Sequence, residues 1–224
     1  MMRETFKKLS PRKQEKILAA AAKVFARDGA HRAKIAAICK EADISNGALY
    51  KYFINKEAIF RAVIDHGVDL MVHELFGKFT ADGTSFFAAL EALFEGFGRF
   101  LKQHRPYVEL YADLTACSMN KFSGYVAEKI EREGRHLFLR LVEDGKRNGE
   151  LTGAIRTDLM VHFLDSQMTL YAYSLVSEYH SRRFNAFFRT GARRMTDDDK
   201  IAVIIESARS FLQARTEQQE ETRA

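Results

Sequence analysis

The chain has 224 residues, of which 46% are hydrophobic and 29% are charged, so it can bury a substantial core and is not disordered throughout. Its two cysteines, Cys39 and Cys117, lie far apart in the sequence and form no CxxC pair, so they indicate neither a disulfide framework nor a zinc site. No apolar run approaches the roughly 18 residues of a membrane span, and the N-terminus is too polar for a signal peptide. We therefore expect a soluble, cytoplasmic protein with no membrane partner.

The net charge of +5 is concentrated in the first quarter of the chain. Residues 1–56 contain 13 Lys and Arg against five Asp and Glu, a net charge of +8, which leaves −3 for residues 57–224. This asymmetry indicates a polyanionic partner for the first quarter. From the charge alone, a basic surface that is merely solvated is the alternative.

Helical periodicity dominates and strand-like alternation is missing, which predicts an all-α protein. Ser10 and Pro11 provide a cap and a first-turn proline for a helix that ends at Asp28. A second, shorter helix is predicted over 33–42, and a third over 46–52. These three compact helices form the basic part of the chain.

A long helix is expected from Asn55 to about Phe79, linking the basic part to the rest. Further helices are predicted at 85–103, 106–118, 122–148, 157–181 and 197–215. Stretches rich in Gly, Ser, Thr, Asn or Arg predict loops at 81–85, 148–153 and 181–194. The pattern indicates two domains, residues 1–54 and residues 55–224.

The third helix has the clearest local signals. Ile44, the N-cap Ser45 and Leu49 have the spacing of a hydrophobic staple, and the same arrangement recurs around the cap Asn55. Leu49 and Phe53 are predicted to point inward. A helix of about seven residues is not stable alone, so it must be held by neighbours while its other face stays free.

The second helix, a turn and the third helix form a helix-turn-helix, whose third helix can enter a DNA major groove. Its first residues are small enough for close approach, one amide can bond to bases, and a tyrosine and a lysine follow one turn later. Lysines near the starts of the second and fourth helices are placed to bind phosphates. The predicted DNA-binding residues are Lys34, Ser45, Asn46, Gly47, Ala48, Tyr50, Lys51 and Lys56.

Two other classes of protein compete with this interpretation. An enzyme is disfavoured because the sequence has no GxSxG, HExxH, phosphate loop or CxxC motif. His66, Asp69 and His73 could share a helix face and bind a metal, but scattered surface residues explain them better. A helical lipid carrier or adaptor would explain the aromatic C-terminal helices but not the charge of the first quarter.

The helix-turn-helix resembles the tetracycline-repressor-like (TetR) family of bacterial one-component regulators. Members show ILxAAxxxFxxxG, then an apolar IA pair, then S-x-G-x-LYxYFxxKE. The corresponding residues are Ile17–Phe25 with Gly29, then Ile38 and Cys39, then Ser45–Glu57. The resemblance covers roughly residues 12–64, about a quarter of the chain, and it is specific because motif, spacing and helix order all agree.

The resemblance implies an all-α homodimer with an N-terminal three-helix DNA-binding domain and a larger C-terminal helical domain for ligand binding and dimerisation. It implies a repressor of the bacterial cytoplasm that binds a palindromic double-stranded operator and is released by a small apolar or aromatic effector. No enzymatic activity, metal or cofactor is expected.

Carried over by position, the resemblance assigns roles to residues in and beside the third helix. Ser45 would cap the helix and touch a phosphate, Asn46 and Ala48 would meet bases, and Tyr50, Lys51 and Lys56 would hold the DNA backbone. Ala33 and Ala36 stand where the family usually has Thr and often has Arg. Asp43 stands where the turn usually has Gly, so it must adopt a conformation that Asp tolerates but Gly prefers.

Aromatic and methionine side chains crowd the C-terminal helices. Taken alone, such a stripe indicates a packed core more often than a cavity, whereas the resemblance implies a ligand between the middle helices. Gly96 and Gly98 within a helix require a reason, such as close packing or room for a ligand. Thr115, His162 and Gln167 are polar groups that could orient a ligand, although a core or surface role explains each of them better. The predicted pocket residues are Phe97, Phe100, Tyr107, Tyr111, Thr115, Met119, Phe122, Leu137, Leu141, Gln167, Met168 and Tyr171.

The last two predicted helices are expected to form the dimer interface as a four-helix arrangement. The final helix has an apolar stripe wider than a monomer needs to cover, and the helix before it is apolar on two faces. The predicted interface residues are Phe163, Leu170, Ile201, Ile204, Ile205, Ala208, Phe211 and Leu212.

Overall fold

The structure, a computed structural model, describes residues 2–76, 84–116, 123–188 and 193–213. Within these ranges the protein is all-α, as predicted, with two isolated β-bridges and no strand. A π-helical segment, Val72–Phe76, follows the fifth helix. The α-helices are α1 (Glu4–Lys7), α2 (Pro11–Asp28), α3 (Ile35–Ala42), α4 (Asn46–Tyr52), α5 (Lys56–Met71), α6 (Phe86–Gln103), α7 (Arg105–Ala116), α8 (Ser123–Arg147), α9 (Thr157–Val176), α10 (Glu178–Phe187) and α11 (Asp197–Leu212).

The helix boundaries follow the local signals wherever those signals are strong. The bounds of α2 and α4 are those predicted, with Pro11 in the first turn of α2 and Gly29 at φ 75° after its end. Thr196 and Asp199 form a reciprocal capping box that begins α11. The predicted extensions to residues 79 and 118 reach beyond the described residues. Helix α11 ends at Leu212 rather than at the predicted residue 215, because Gln213 is extended (φ −63°, ψ 137°).

Two parts of the chain differ from the prediction. The single helix predicted over 157–181 is two helices, because Ser177 is extended (φ −120°, ψ 121°) and its side chain caps α10 by accepting a hydrogen bond from the His180 amide at 3.4 Å. Much of the stretch predicted as an arginine-rich loop is therefore helix α10. The short helix α1 was not predicted.

Contacts divide the chain into two compact units. The first unit comprises Met1–Val72 with His104–Lys129, and the second comprises His73–Gln103 with Ile130–Ala224. The division falls within α8 and places all of α5 in the first unit. The sequence predicts that residues 1–54 and residues 55–224 are separate domains. The contact-based units do not test whether these two segments fold independently, so that boundary stays a prediction.

In the first unit, α2 is the central helix and packs against α3, α5 and α7. Ile17 and Phe25 of α2 are fully buried, and the Phe25 ring meets that of Phe60 edge-on, with centroids 5.2 Å apart. Such interlocking of apolar side chains, rather than intrinsic helix propensity, holds the short helices α3 and α4 in place.

In the second unit, α11 packs against α6 and α9, and α10 packs against α9. Tyr171 is 1% exposed and lies beside Phe94 and Phe97, with ring centroids 5.9 and 6.5 Å away. A Cβ atom on Gly98 would overlap the Tyr171 hydroxyl, so close packing explains this glycine. Likewise, a Cβ on Gly96 would lie 3.2 Å from the Leu75 side chain.

Candidate nucleic-acid interface

Helix α4 is oriented as its sequence predicts. Leu49 and Phe53 are each 1% exposed, whereas Tyr50 is 50% exposed, and Asn46 and Lys51 are also exposed. The helix thus presents an amide, a phenol and an ammonium group on one side and packs its apolar residues on the other.

Side chains cap α4 and the helix that follows it. The Ser45 hydroxyl accepts a hydrogen bond from the Ala48 amide at 3.1 Å, and the Asn55 side chain accepts one from the Ala58 amide at 2.8 Å. Each cap satisfies one of the amides that a helix N-terminus leaves without a partner. Ser45 therefore caps α4, and this structural role does not depend on any contact with DNA.

The turn between α3 and α4 has the conformation that the sequence required of Asp43. This residue has φ 57° and ψ 53°, and it is the one non-glycine residue with positive φ in the described part of the chain. Its amide bonds to the Lys40 carbonyl at 3.3 Å, and the Ile44 amide bonds to the Cys39 carbonyl at 3.0 Å. These two bonds form a Schellman motif, which ends α3 and directs the chain into α4.

The N-terminus of the chain supports α4, which sequence reasoning missed. Phe6 of α1 is 1% exposed, and its ring lies 4.7 Å from that of Phe53 and 5.9 Å from that of Tyr52. The Arg3 amide donates to the Tyr52 carbonyl at 2.8 Å, and the Thr5 hydroxyl donates to the Lys51 carbonyl. A lone phenylalanine among polar residues was the available sequence signal.

The two lysines predicted to bind phosphates differ in their surroundings. Lys34 is exposed and lies immediately before α3. Lys56 instead donates hydrogen bonds to the carbonyls of His31, at 2.6 Å, and Ala33, at 3.0 Å. The Lys56 ammonium thus fixes the loop between α2 and α3, which leaves one of its three donors for another acceptor.

The predicted pocket residues are divided between the two units. Those in the second unit are buried except for the half-buried Gln167: Phe97, Phe100, Leu137, Leu141, Met168 and Tyr171. Of those in the first unit, Tyr107 and Tyr111 are half-buried, and Thr115 is exposed and donates back to the Tyr111 carbonyl at 2.8 Å. Met119 and Phe122 lie outside the described residues.

Tyr107 has an unusual environment for a phenol. Its hydroxyl is buried and makes no hydrogen bond within the described structure, and burial raises the pKa of this phenol. A Cβ atom on Gly67 would lie 2.9 Å from the Tyr107 ring, so Gly67 permits the ring to lie against α5. A buried hydroxyl without an acceptor is costly, which makes it a natural partner for a polar group of a ligand.

An open groove in the second unit was not predicted. It has a volume of about 910 Å³ and is lined by α8, α9 and the loop between them. None of the predicted pocket residues lines it, although His162, one of the polar groups considered for the pocket, does. Asp165 also lines it, and burial raises the pKa of this carboxyl.

The predicted dimer interface stays a prediction, but the sequence argument for it requires a correction. The α11 side chains Ile201, Ile204, Ile205, Ala208 and Leu212 are at most 7% exposed within the single chain, where α11 packs against α6 and α9. The monomer therefore covers the apolar stripe of α11, contrary to the sequence argument. Phe211 is 64% exposed, and its ring lies 5.9 Å from that of the half-buried Phe163. Leu170 is also half-buried.

The described residues offer no competing metal site or membrane span. Among them, no three His, Cys, Asp or Glu side chains lie close enough together to hold a metal ion. No helix in the described ranges is both long enough and apolar enough to cross a bilayer.

These features define a helical protein whose first unit carries a capped, basic helix-turn-helix. Residues 17–63 match the family described as bacterial regulatory proteins, tetR family. This match identifies residues 17–63, the helix-turn-helix region, as similar to the DNA-binding part of the tetR family.

Two curated relatives are similar to the chain to different extents. The transcriptional regulator UidR of Escherichia coli K12 is 49% identical over 49 residues, 22% of this chain, and the match spans about a quarter (25%) of that relative's length. The transcriptional repressor KstR2 of Rhodococcus jostii is 28% identical over 156 residues, which cover 68% of this chain and 74% of the repressor.

A solved structure extends the similarity of fold over most of the chain. The regulator FadR of Bacillus subtilis, determined in complex with stearoyl-CoA, superimposes with a TM-score of 0.69 at 16% identity. The superposition covers 87% of this chain and 97% of FadR. At this identity the comparison establishes the fold alone.

Proposed function

We propose that the protein is a repressor of transcription that binds a palindromic DNA operator as a homodimer in the bacterial cytoplasm and leaves it when a small apolar effector binds. The observation that carries this proposal is α4: a capped recognition helix with Asn46, Tyr50 and Lys51 exposed, within a quarter of the chain that has a net charge of +8. The first unit would bind DNA, and the second would form the dimer.

The exposed side chains of α4 divide into two roles. Asn46 and Ala48, near the helix start, would read base edges in the major groove, and the absence of a side chain at Gly47 would allow close approach. Tyr50 and Lys51, one turn later, would bind phosphates together with Lys34. Phosphate contacts give affinity that falls with rising salt, whereas base contacts give the sequence preference.

DNA binding is tested with the full chain and an operator selected from a randomised duplex library. The double variant Tyr50→Ala, Lys51→Ala should lose at least about 100-fold in affinity, because it removes two contacts and leaves the buried face of α4 intact. Arg99→Ala, in the second unit, is the charge-matched control for Lys51 and should bind like the unchanged chain. An unchanged affinity of the double variant would refute the assignment of α4 as the recognition helix.

For the dimer, we propose an interface centred on the outward faces of α9 and α11. Leu159, Phe163 and Phe211 are among the apolar side chains that the single chain leaves partly or largely exposed there. Exposed apolar patches of this kind commonly mark interfaces. Phe211→Asp should shift sedimentation from dimer to monomer, whereas Phe187→Asp, on α10, should not. A Phe211→Asp variant that stays dimeric would place the interface elsewhere.

For the effector, we propose an apolar molecule with one polar end. The pocket residues that lie in the second unit, among them Phe97, Phe100 and Tyr171, would surround the apolar part, and the half-buried Gln167 would bond to the polar end. The FadR structure was determined with stearoyl-CoA, which makes this acyl thioester a suitable probe. At a concentration of about 100 times the Kd, a ligand should stabilise the folded chain by about 2.7 kcal/mol, and free CoA is the control. Stabilisation by both compounds equally would exclude recognition of the acyl chain.

A further inference from the structure

The N-terminal segment, residues 2–9, is held in place at both of its ends. Domain termini are usually frayed unless specific contacts hold them. Here Phe6 is 1% exposed and packs on Phe53, with ring centroids 4.7 Å apart. At the other end, the Gln14 amide donates to the Leu9 carbonyl at 2.8 Å. The segment is therefore an ordered part of the first unit.

The N-terminal segment also completes the C-terminal end of α4. A helix leaves its last carbonyls without intrahelical partners, and this helix has only seven residues. Arg3 and Thr5 donate hydrogen bonds to the carbonyls of Tyr52 and Lys51, respectively. These bonds bring Arg3 beside the part of α4 that carries the exposed side chains of Tyr50 and Lys51.

The charges of the N-terminal segment are mostly positive and only partly neutralised. It contains Arg3, Lys7 and Lys8 against the single acid Glu4. Lys7 forms an ion pair with Glu4 at 2.6 Å. Arg3 and Lys8 are exposed, and neither forms an ion pair within the part of the chain that the structure describes. Two cations without carboxylate partners thus lie on an ordered segment beside the recognition helix.

We propose that the N-terminal segment is a second DNA-contacting element, in which Arg3 and Lys8 bind phosphates next to those bound by α4. This inference rests on the proposed function. Because the segment is already ordered, binding these phosphates costs little backbone entropy. Phosphate contacts carry no sequence information, so the segment contributes affinity and orientation to every DNA sequence.

The double variant Arg3→Ala, Lys8→Ala tests this proposal in the full chain. The Arg3 amide, which bonds to α4, is retained in the variant, so the fold should persist, and circular dichroism and thermal unfolding check this. The control is Arg99→Ala, Arg147→Ala in the second unit, which removes the same charge from side chains that are 74% and 73% exposed. Affinity is measured for a random-sequence duplex and for the selected operator, at salt concentrations between about 50 and 200 mM.

The salt dependence of affinity shows whether Arg3 and Lys8 bind DNA phosphates or whether the N-terminal segment only supports α4. Each lost phosphate contact should reduce the slope of log affinity against log salt by about 0.9, so the variant should lose about 1.8 for each bound chain. Across the fourfold salt range its affinity should therefore fall about twelvefold less for each bound chain, or about 150-fold less for the proposed dimer, than that of the unchanged protein. Operator and random duplex should be affected alike, and the control should keep the original slope.

Two other outcomes are possible, and each overturns a different proposal. An unchanged slope in the double variant, with or without weaker operator binding, would show that Arg3 and Lys8 do not bind phosphates and that the segment only supports α4. If the unchanged chain binds neither duplex, the proposed DNA-binding function itself fails. These two failures are distinguishable because the first requires DNA binding by the unchanged chain.

Discussion

Substitutions at Asp43 test the turn that directs the recognition helix. This residue has φ 57° and ψ 53°, within the left-handed region. That conformation costs an L-amino acid about 1–2 kcal/mol, less for Asp than for most residues, and costs glycine nothing. Glycine loses more conformational entropy on folding, about 0.5–1 kcal/mol relative to alanine. The Asp43→Gly variant should therefore be about 0.5–1 kcal/mol more stable than the Asp43→Ala variant.

The difference in stability between Asp43→Gly and Asp43→Ala reports the backbone conformation at this position alone. Asp43 forms an ion pair with Lys16 at 3.4 Å, and both substitutions remove it equally. With side chains 90% and 55% exposed, this pair contributes at most about 0.5 kcal/mol, which Lys16→Ala measures separately. Asp43→Val should be the least stable of the series, because a branched side chain tolerates the left-handed region worst.

Urea unfolding followed by circular dichroism measures these differences, and the chain has no tryptophan that could serve as a fluorescent probe. In thermal unfolding, about 1 kcal/mol corresponds to a change in Tm of about 2–4 °C for a chain of this size. An alanine variant as stable as the glycine variant would refute the left-handed conformation of Asp43. Operator affinity should be kept by the glycine variant and weakened by the valine variant, because valine disturbs the turn that positions α4.

Three further substitutions probe packing and charge. Phe6→Ala should lower the free energy of unfolding by about 3–5 kcal/mol, measured in urea, and a cost near zero would show that α1 is not packed. Gly98→Ala should cost about 1–3 kcal/mol, because the new methyl group overlaps the Tyr171 hydroxyl, and adding Tyr171→Phe should recover part of that loss. The Arg193 guanidinium holds the pKa of Asp199 well below its usual range, so this carboxylate stabilises the fold above about pH 4 and the effect is lost on acidification. Asp199→Asn should accordingly flatten the acid limb of the stability profile, and an unchanged limb would contradict the pairing.

The recognition helix could be predicted because its determinants are local. The caps Ser45 and Asn55 lie within three residues of the amides that they bond, and Leu49 lies four residues from the first cap. The left-handed conformation of Asp43 follows from its position between two such helices. Each of these signals lies within a few residues of the feature that it determines, so a single sequence contains it.

The support of α4 by the N-terminus could not be predicted in the same way. Thr5 and Lys51, which share a hydrogen bond, are 46 positions apart in the sequence. Phe6 has no periodic apolar neighbours that would indicate a helix or the surface that it covers. Contacts of this kind depend on the folded arrangement of the whole unit.

The faces of the C-terminal helices show a second limit of sequence patterns. Periodicity identified the apolar stripe of α11 correctly, but it could not identify which helices cover that stripe. In the structure α6 and α9 cover it, which leaves Phe211 as the most exposed of the predicted interface residues. Similarly, the apolar pattern continued through Ser177, whose cap divides α9 from α10.

The N-terminal segment connects stability and DNA binding in a way that two of the variants can separate. Phe6→Ala removes the packing that orders the segment, so it should weaken DNA binding by loosening both α4 and the cations beside it. Arg3→Ala with Lys8→Ala leaves that packing intact and removes only charge. If the segment both supports α4 and binds phosphates, Phe6→Ala should lose stability and DNA affinity together. The double variant Arg3→Ala, Lys8→Ala should lose affinity and salt dependence while its stability stays unchanged. A seven-residue recognition helix makes this coupling unavoidable, because so short a helix depends on its neighbours for its stability.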